Sequence, residues 1–139
     1  MTKHILFVGD SGVGKTNIIN RLINKPFNRV FIPTGSYTQH LLPDTNITLY
    51  DWPGQYKFKP VFPSGITHVV IVFDATSRVS YRAVEDWKKL VRGFYQTTDI
   101  PIIVIGNKSD LPNTKINTGN IISAKTHTTI FERIESTIN

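Results

Sequence analysis

Residues Gly9 to Thr16 read Gly-Asp-Ser-Gly-Val-Gly-Lys-Thr, in which a glycine is followed after four residues by Gly-Lys-Thr. Glycines at 9, 12 and 14 permit positive φ or close backbone approach, so consecutive N–H groups can form a nest for phosphate oxygens at a helix start. The predicted contacts run through Asp10, Ser11, Gly12, Val13, Gly14, Lys15, Thr16 and Asn17. In this pattern Lys15 reaches the outer phosphates and the Thr16 hydroxyl binds magnesium. A plain glycine-rich turn can share the letters, but not the setting. An apolar run at His4–Val8 leads into the loop, and Asn17–Asn24, with Ile18, Ile19, Leu22 and Ile23 at helical spacing, predicts the helix that leaves it.

Two later segments carry matching chemistry. In Asp51-Trp52-Pro53-Gly54-Gln55, at the end of a predicted strand, Asp51 can hold a magnesium-bound water and the Gly54 amide can face a terminal phosphate. Gln55 would orient an attacking water. The third segment, Asn107-Lys108-Ser109-Asp110, is followed by Ser123-Ala124-Lys125. A carboxylate at Asp110 can accept two hydrogen bonds from the ring N–H and exocyclic amine of guanine, whereas adenine would leave that charge unpaired. Asn107 would brace the phosphate loop, the Lys108 stem would cover the base, and the Ala124 N–H would meet the guanine oxygen. Singly, the second and third segments read as polar turns; in this order behind a phosphate loop they read as one site.

The elements needed to position these segments alternate along the chain. Beyond the first strand and helix, 25–35 is rich in turn formers, and 36–42 with 47–52 predicts two antiparallel strands about a turn at 43–46. Residues 56–66 contain two prolines and read as irregular or one short helix. His68–Asp74 predicts a buried strand and Ser80–Tyr95 a helix with Val84, Trp87, Leu90, Val91 and Phe94 on one stripe. Trp87 reads as core. Strands at 101–106 and 120–122 and a helix at 128–138 complete an α/β pattern whose apolar strands suit a parallel sheet covered on both faces. The site belongs at the carboxyl ends of those strands.

Composition narrows the classes further. A chain of 139 residues suits one domain, spanning 1–139. It has no cysteine, which excludes disulfides, thiolate zinc sites, prenylation and palmitoylation, and Thr2 excludes myristoylation, so no lipid anchor is expected. No apolar run is long enough to span a bilayer and the start shows no signal-peptide pattern, which points to a soluble intracellular protein. Net charge is +6, but the basic residues are scattered, so direct nucleic-acid binding is not expected. The four histidines share no metal-ligand spacing.

Over essentially its whole length the chain resembles the small GTPases of the Ras superfamily. The phosphate loop is similar to those of Rab and Ran proteins, while Phe73 to Tyr81, Trp87, Leu90 to Arg92 and the run from Ile100 through Lys108 look most like Ran. The resemblance implies a P-loop NTPase G domain: a mostly parallel sheet of about six strands, helices on both faces and one antiparallel edge hairpin. It implies GTP and GDP as ligands, magnesium as cofactor, and slow hydrolysis with Gln55 and Lys15 as catalytic groups. Phe27 matches the aromatic packed against guanine, and Thr34 the switch threonine that binds magnesium. Ser123 and Lys125 join the base contacts. The implied partners are an activating protein, an exchange factor and, by likeness to Ran, import receptors, for a monomer in cytoplasm or nucleus and a role in nucleocytoplasmic transport.

Departures temper that carry-over. The segment between Thr34 and Asp51 is short, Pro53 stands where alanine is usual, and Tyr56 replaces a glutamate. Only twelve residues separate Asp110 from Ser123, which predicts loss of the helix found there in the family. The sequence ends without the acidic tail of Ran, which leaves import-receptor binding in doubt. They keep open a second reading, a nucleotide-holding module that competes for Ran or Rab partners and hydrolyses little. An adenine-nucleotide kinase is a third reading, and Asp110 speaks against it. In competition binding, GTP is expected to displace a bound guanine nucleotide and ATP is not; tighter binding of ATP would restore the kinase.

Overall fold

A computed structural model describes residues 2–10, 12–22, 37–41, 46–53 and 61–107. Within them run β1 (Lys3–Val8), α1 (Lys15–Leu22), β2 (Thr38–Leu41), β3 (Ile47–Asp51), β4 (His68–Asp74), α2 (Arg78–Tyr95) and β5 (Ile102–Asn107). The five strands form one sheet in the order β2-β3-β1-β4-β5. β1 pairs in parallel with β3 and β4, β4 in parallel with β5, and only β2 with β3 antiparallel. From β1 the chain therefore fills one side first, edge strand β2 before inner strand β3, and then builds outward through β4 and β5 on the other. The carboxyl end of β1 is the switch point at which such sheets bind ligands.

Alternation along the strands explains why both faces are covered. Ile5, Phe7, Leu49, Val70, Val72, Ile103 and Ile105 pack with Ile18, Ile19 and Leu22 of α1. Their neighbours Leu6, Val8, Tyr50, Val69, Ile71 and Phe73 point the other way, onto Ala83, Val84, Trp87 and Val91 of α2. Each buried valine, leucine, isoleucine or phenylalanine among them contributes roughly 1.5–3 kcal/mol by leaving water.

Helix starts differ from the sequence expectation for local reasons. α1 begins at Lys15 rather than Asn17, because the loop ends on Gly14 with a φ of 92° and the Ile18 N–H already bonds the Gly14 carbonyl at 3.1 Å. α2 begins at Arg78 rather than Ser80, because Ser77 is the N-cap and its hydroxyl accepts from the Ser80 N–H. At the far end Gln96 takes a left-handed conformation and its N–H bonds the Arg92 carbonyl.

Phe94, expected on the buried stripe, is 39% exposed, and Leu90 is only half-buried. Phe94 instead packs edge-on against Phe62 and Tyr95, closing an aromatic cluster with Trp52 beneath the irregular stretch before β4. The strand expected at 120–122, the last helix, the 111–122 segment and all of 56–60 lie outside the described residues, so the sheet described has five strands rather than six. No helix among the described residues is long and apolar enough to cross a membrane.

Tyr95 locks α2 to the preceding loop by donating its hydroxyl to the Pro63 carbonyl at 2.6 Å. Burial raises its pKa above the ordinary value, with Tyr37 and Tyr50 adding to the shift. A phenol whose folded pKa is raised supplies stability that is complete below the unfolded pKa of about 10 and declines above it, since only the unfolded chain then readily loses the proton. Chemical denaturation at stepped alkaline pH should show stability falling above about pH 10, and Tyr95→Phe should flatten that fall.

Candidate functional site

Parallel pairing of β1 with β3 sets Phe7 opposite Asp51, so Asp51 ends its strand beside the turn that leaves β1. The Trp52 N–H to Phe7 carbonyl bond, at 3.0 Å, extends that register by one residue. The Thr16 hydroxyl donates to Asp51 Oδ2 at 2.6 Å, and Lys15 Nζ lies 3.6 Å from Asp51 Oδ1. Both residues belong to the first turn of α1, where free backbone N–H groups and the helix dipole favour an anion. The three side chains predicted to handle phosphate and magnesium thus meet at one point.

Lys15 is 7% exposed and Asp51 5%. Burial pushes the Lys15 pKa below its ordinary value; the nearby Asp51 charge and hydrogen bond, and more distantly Asp10, oppose that push. A lysine so placed gains most by meeting a strongly negative group, and phosphate oxygens are such a group.

The loop over this cluster takes the shape its glycines permit. Gly9, Gly12 and Gly14 have φ of 154°, 82° and 92°. A Cβ on Gly9 would collide with the carbonyl oxygen of Val72 in β4, so this position is restricted by space as well as conformation. At the other end of the loop, the Asn107 amide donates to the Val13 carbonyl at 2.9 Å, the bracing expected of Asn107. Asn107 is 3% exposed and closes β5.

Asp10, Gly12, Val13, Gly14, Lys15, Thr16, Asn17, Asp51 and Asn107 are therefore placed at one end of the sheet. Ser11, Phe27, Thr34, Gly54, Gln55, Lys108, Asp110, Ser123, Ala124 and Lys125 lie outside the described residues. One contact escaped sequence reasoning: the Trp87 indole N–H donates to Asp10 Oδ1 at 3.0 Å. Helical spacing identifies Trp87 as core, but only the requirement that a buried indole N–H find an acceptor hints at a polar role.

A family profile described as Ras family matches residues 4–137. The chain belongs to the Ras family. Among curated relatives, this Ras-family chain is 32% identical to the Ypt/Rab-type GTPase ypt7 of Pyricularia oryzae, over 80% of the chain and 60% of the relative. It is 31% identical to the Ypt/Rab-type GTPase Rab7 of Neurospora crassa, with the same coverage. The chain thus spans about 60% of the length of these relatives. Both are Rab-type, so these comparisons support the Rab side of the phosphate-loop likeness and not the likeness to Ran drawn from the later segments.

Ras-family domains bind GTP or GDP together with magnesium, and the residues here fit both. Thr16 Oγ1 and the Asp51 carboxylate are hard oxygen donors side by side at the mouth of an anion nest, the donor type magnesium prefers. When bound, magnesium neutralises charge on the outer phosphates; Thr16 and Asp51 would hold it, directly and through water. Asn107→Ala should loosen the loop by removing a buried hydrogen bond. Nucleotide dissociation followed by fluorescence should quicken by about tenfold, the equivalent of roughly 1.4 kcal/mol.

Proposed function

We propose that this chain is a GTP-hydrolysing molecular switch of the Rab type. The observation that carries the reading is the meeting of Lys15, Thr16 and Asp51 beneath a loop braced by Asn107. Loop amides and Lys15 would stabilise charge developing on the outer phosphates, and Gln55, four residues beyond Asp51, would orient the water for in-line attack. Asp110, with Lys108 and Ala124, would select guanine, and Phe27 would pack against it. Loss of the γ-phosphate would free Thr34 and Gly54 and change the surface offered to partners.

The names of the two relatives favour the Rab type over the Ran type, and so weigh against nucleocytoplasmic transport, the role suggested by the Ran-like segments. The partners on this reading are an activating protein and an exchange factor, with import receptors belonging to the Ran alternative.

One observation favours the second reading, a module that holds nucleotide and hydrolyses little. Trp52 is buried against Phe62 at a ring separation of 4.8 Å, and Pro53 is buried directly before Gly54. This anchoring, with the fixed φ of proline, would stiffen the second switch where it must move.

Mass spectrometry of nucleotide retained by the purified protein, followed by single-turnover hydrolysis, separates the two. A switch should carry GDP and convert loaded GTP, faster with an activating protein, whereas the module should keep GTP for hours. Gln55→Leu should slow conversion by at least tenfold without loosening nucleotide; unchanged hydrolysis would exclude Gln55 from water positioning.

A further inference from the structure

The contact between Trp87 and Asp10 places a carboxylate problem inside the phosphate loop. Asp10 follows Gly9 directly, in a loop whose amides and Lys15 attract anions, so a freely turning carboxylate there would repel the phosphates the loop collects. The Trp87 indole lies 1% exposed within the α2 face of the core and donates to Asp10 Oδ1 at 3.0 Å. A bond from a buried donor to a charged acceptor is stronger than a neutral one and costly to break.

Direction matters as much as strength. α2 covers one face of the sheet and α1, which opens with Lys15 and Thr16, covers the other. A bond from α2 draws the Asp10 carboxylate to the face opposite α1. α2 is itself fixed to β4, since the Ser80 hydroxyl receives the Asp74 N–H at 2.9 Å and Ser77 caps the same turn. Trp87 therefore has a rigid base from which to hold the loop.

We propose that Trp87 is a positioning residue for nucleotide binding: its indole N–H pins the Asp10 carboxylate on the α2 side and keeps that negative charge clear of the phosphates. Together with Asn107 at Val13 it holds the loop at both ends, one clamp from a helix and one from a strand. The inference rests on the phosphate-binding reading of the loop, and it adds that α2 sets the affinity of that loop.

The test is a rescue experiment with two probes, magnesium GDP and magnesium pyrophosphate. Trp87→Phe keeps a ring and removes the N–H, and should weaken both probes by about tenfold. Adding Asp10→Ala to Trp87→Phe removes the released charge and should recover most of that loss. If Trp87 is merely core, the loss persists in the double variant, and the proposal falls. Parent protein that binds pyrophosphate but not GDP would sink the guanine reading alone, leaving the rescue to be scored with pyrophosphate; a parent that binds neither overturns both. Should Trp87→Phe fail to fold, the indole N–H resonances of the two tryptophans in the sequence serve instead. Pyrophosphate should shift the Trp87 signal in the parent and not in Asp10→Ala, and a signal indifferent to the probe in the parent overturns the proposal.

Discussion

An ammonium group almost shut off from water must meet negative charge, and the architecture around Lys15 follows from that requirement. Its protein partner is Asp51, which reaches it only if β3 lies parallel to β1 with Asp51 opposite Phe7. A slip of one residue would turn Asp51 to the opposite face and bring Trp52 or Tyr50 in its place. The apolar alternation of β3 guards that register, since Leu49 must face α1 while Tyr50 faces the α2 side. Core packing and site chemistry are thus two readings of one strand alignment.

The sheet also explains how a loop rich in glycine can be held to one shape. Gly9 presses against the Val72 carbonyl of β4, Val13 hangs from Asn107 of β5, and Asp10 from Trp87 of α2. Each support comes from an element on the β4 side of β1, whereas the charged groups come from α1 and β3. Structural support and ligand chemistry arrive from opposite sides of the same strand.

Much of this was legible in the residues. Gly9, Gly12, Gly14, Lys15 and Thr16 announce their roles because spacing alone lets a backbone enclose phosphate, and the apolar runs of β1, β4 and β5 read as buried parallel strands. Asn107 was legible as a brace only beside the loop it supports. Apolar periodicity puts the starts of α1 and α2 two residues late, because it sees side chains while the start is set by Gly14 and by the Ser77 cap. Phe94 shows the limit of periodicity in the other direction: the stripe continues to the end of α2, but the sheet beneath it does not, and aromatic neighbours take its place. The Trp87 bond was illegible, since no spacing rule joins positions so far apart.

That distance along the chain has a consequence for biogenesis. The bonds from Thr16 to Asp51, Trp87 to Asp10 and Asn107 to Val13 span 35, 77 and 94 residues. Closing such loops carries an entropy cost that grows only slowly with length, but it is met only once the intervening strands have paired. A chain still emerging from the ribosome without Asn107 lacks one brace of its phosphate loop, however complete residues 9–16 are. A nucleotide held by this loop would therefore report the pairing of β1 through β5 rather than the completion of residues 9–16, and a ligand at a thousand times its Kd would stabilise that paired state by about 4 kcal/mol.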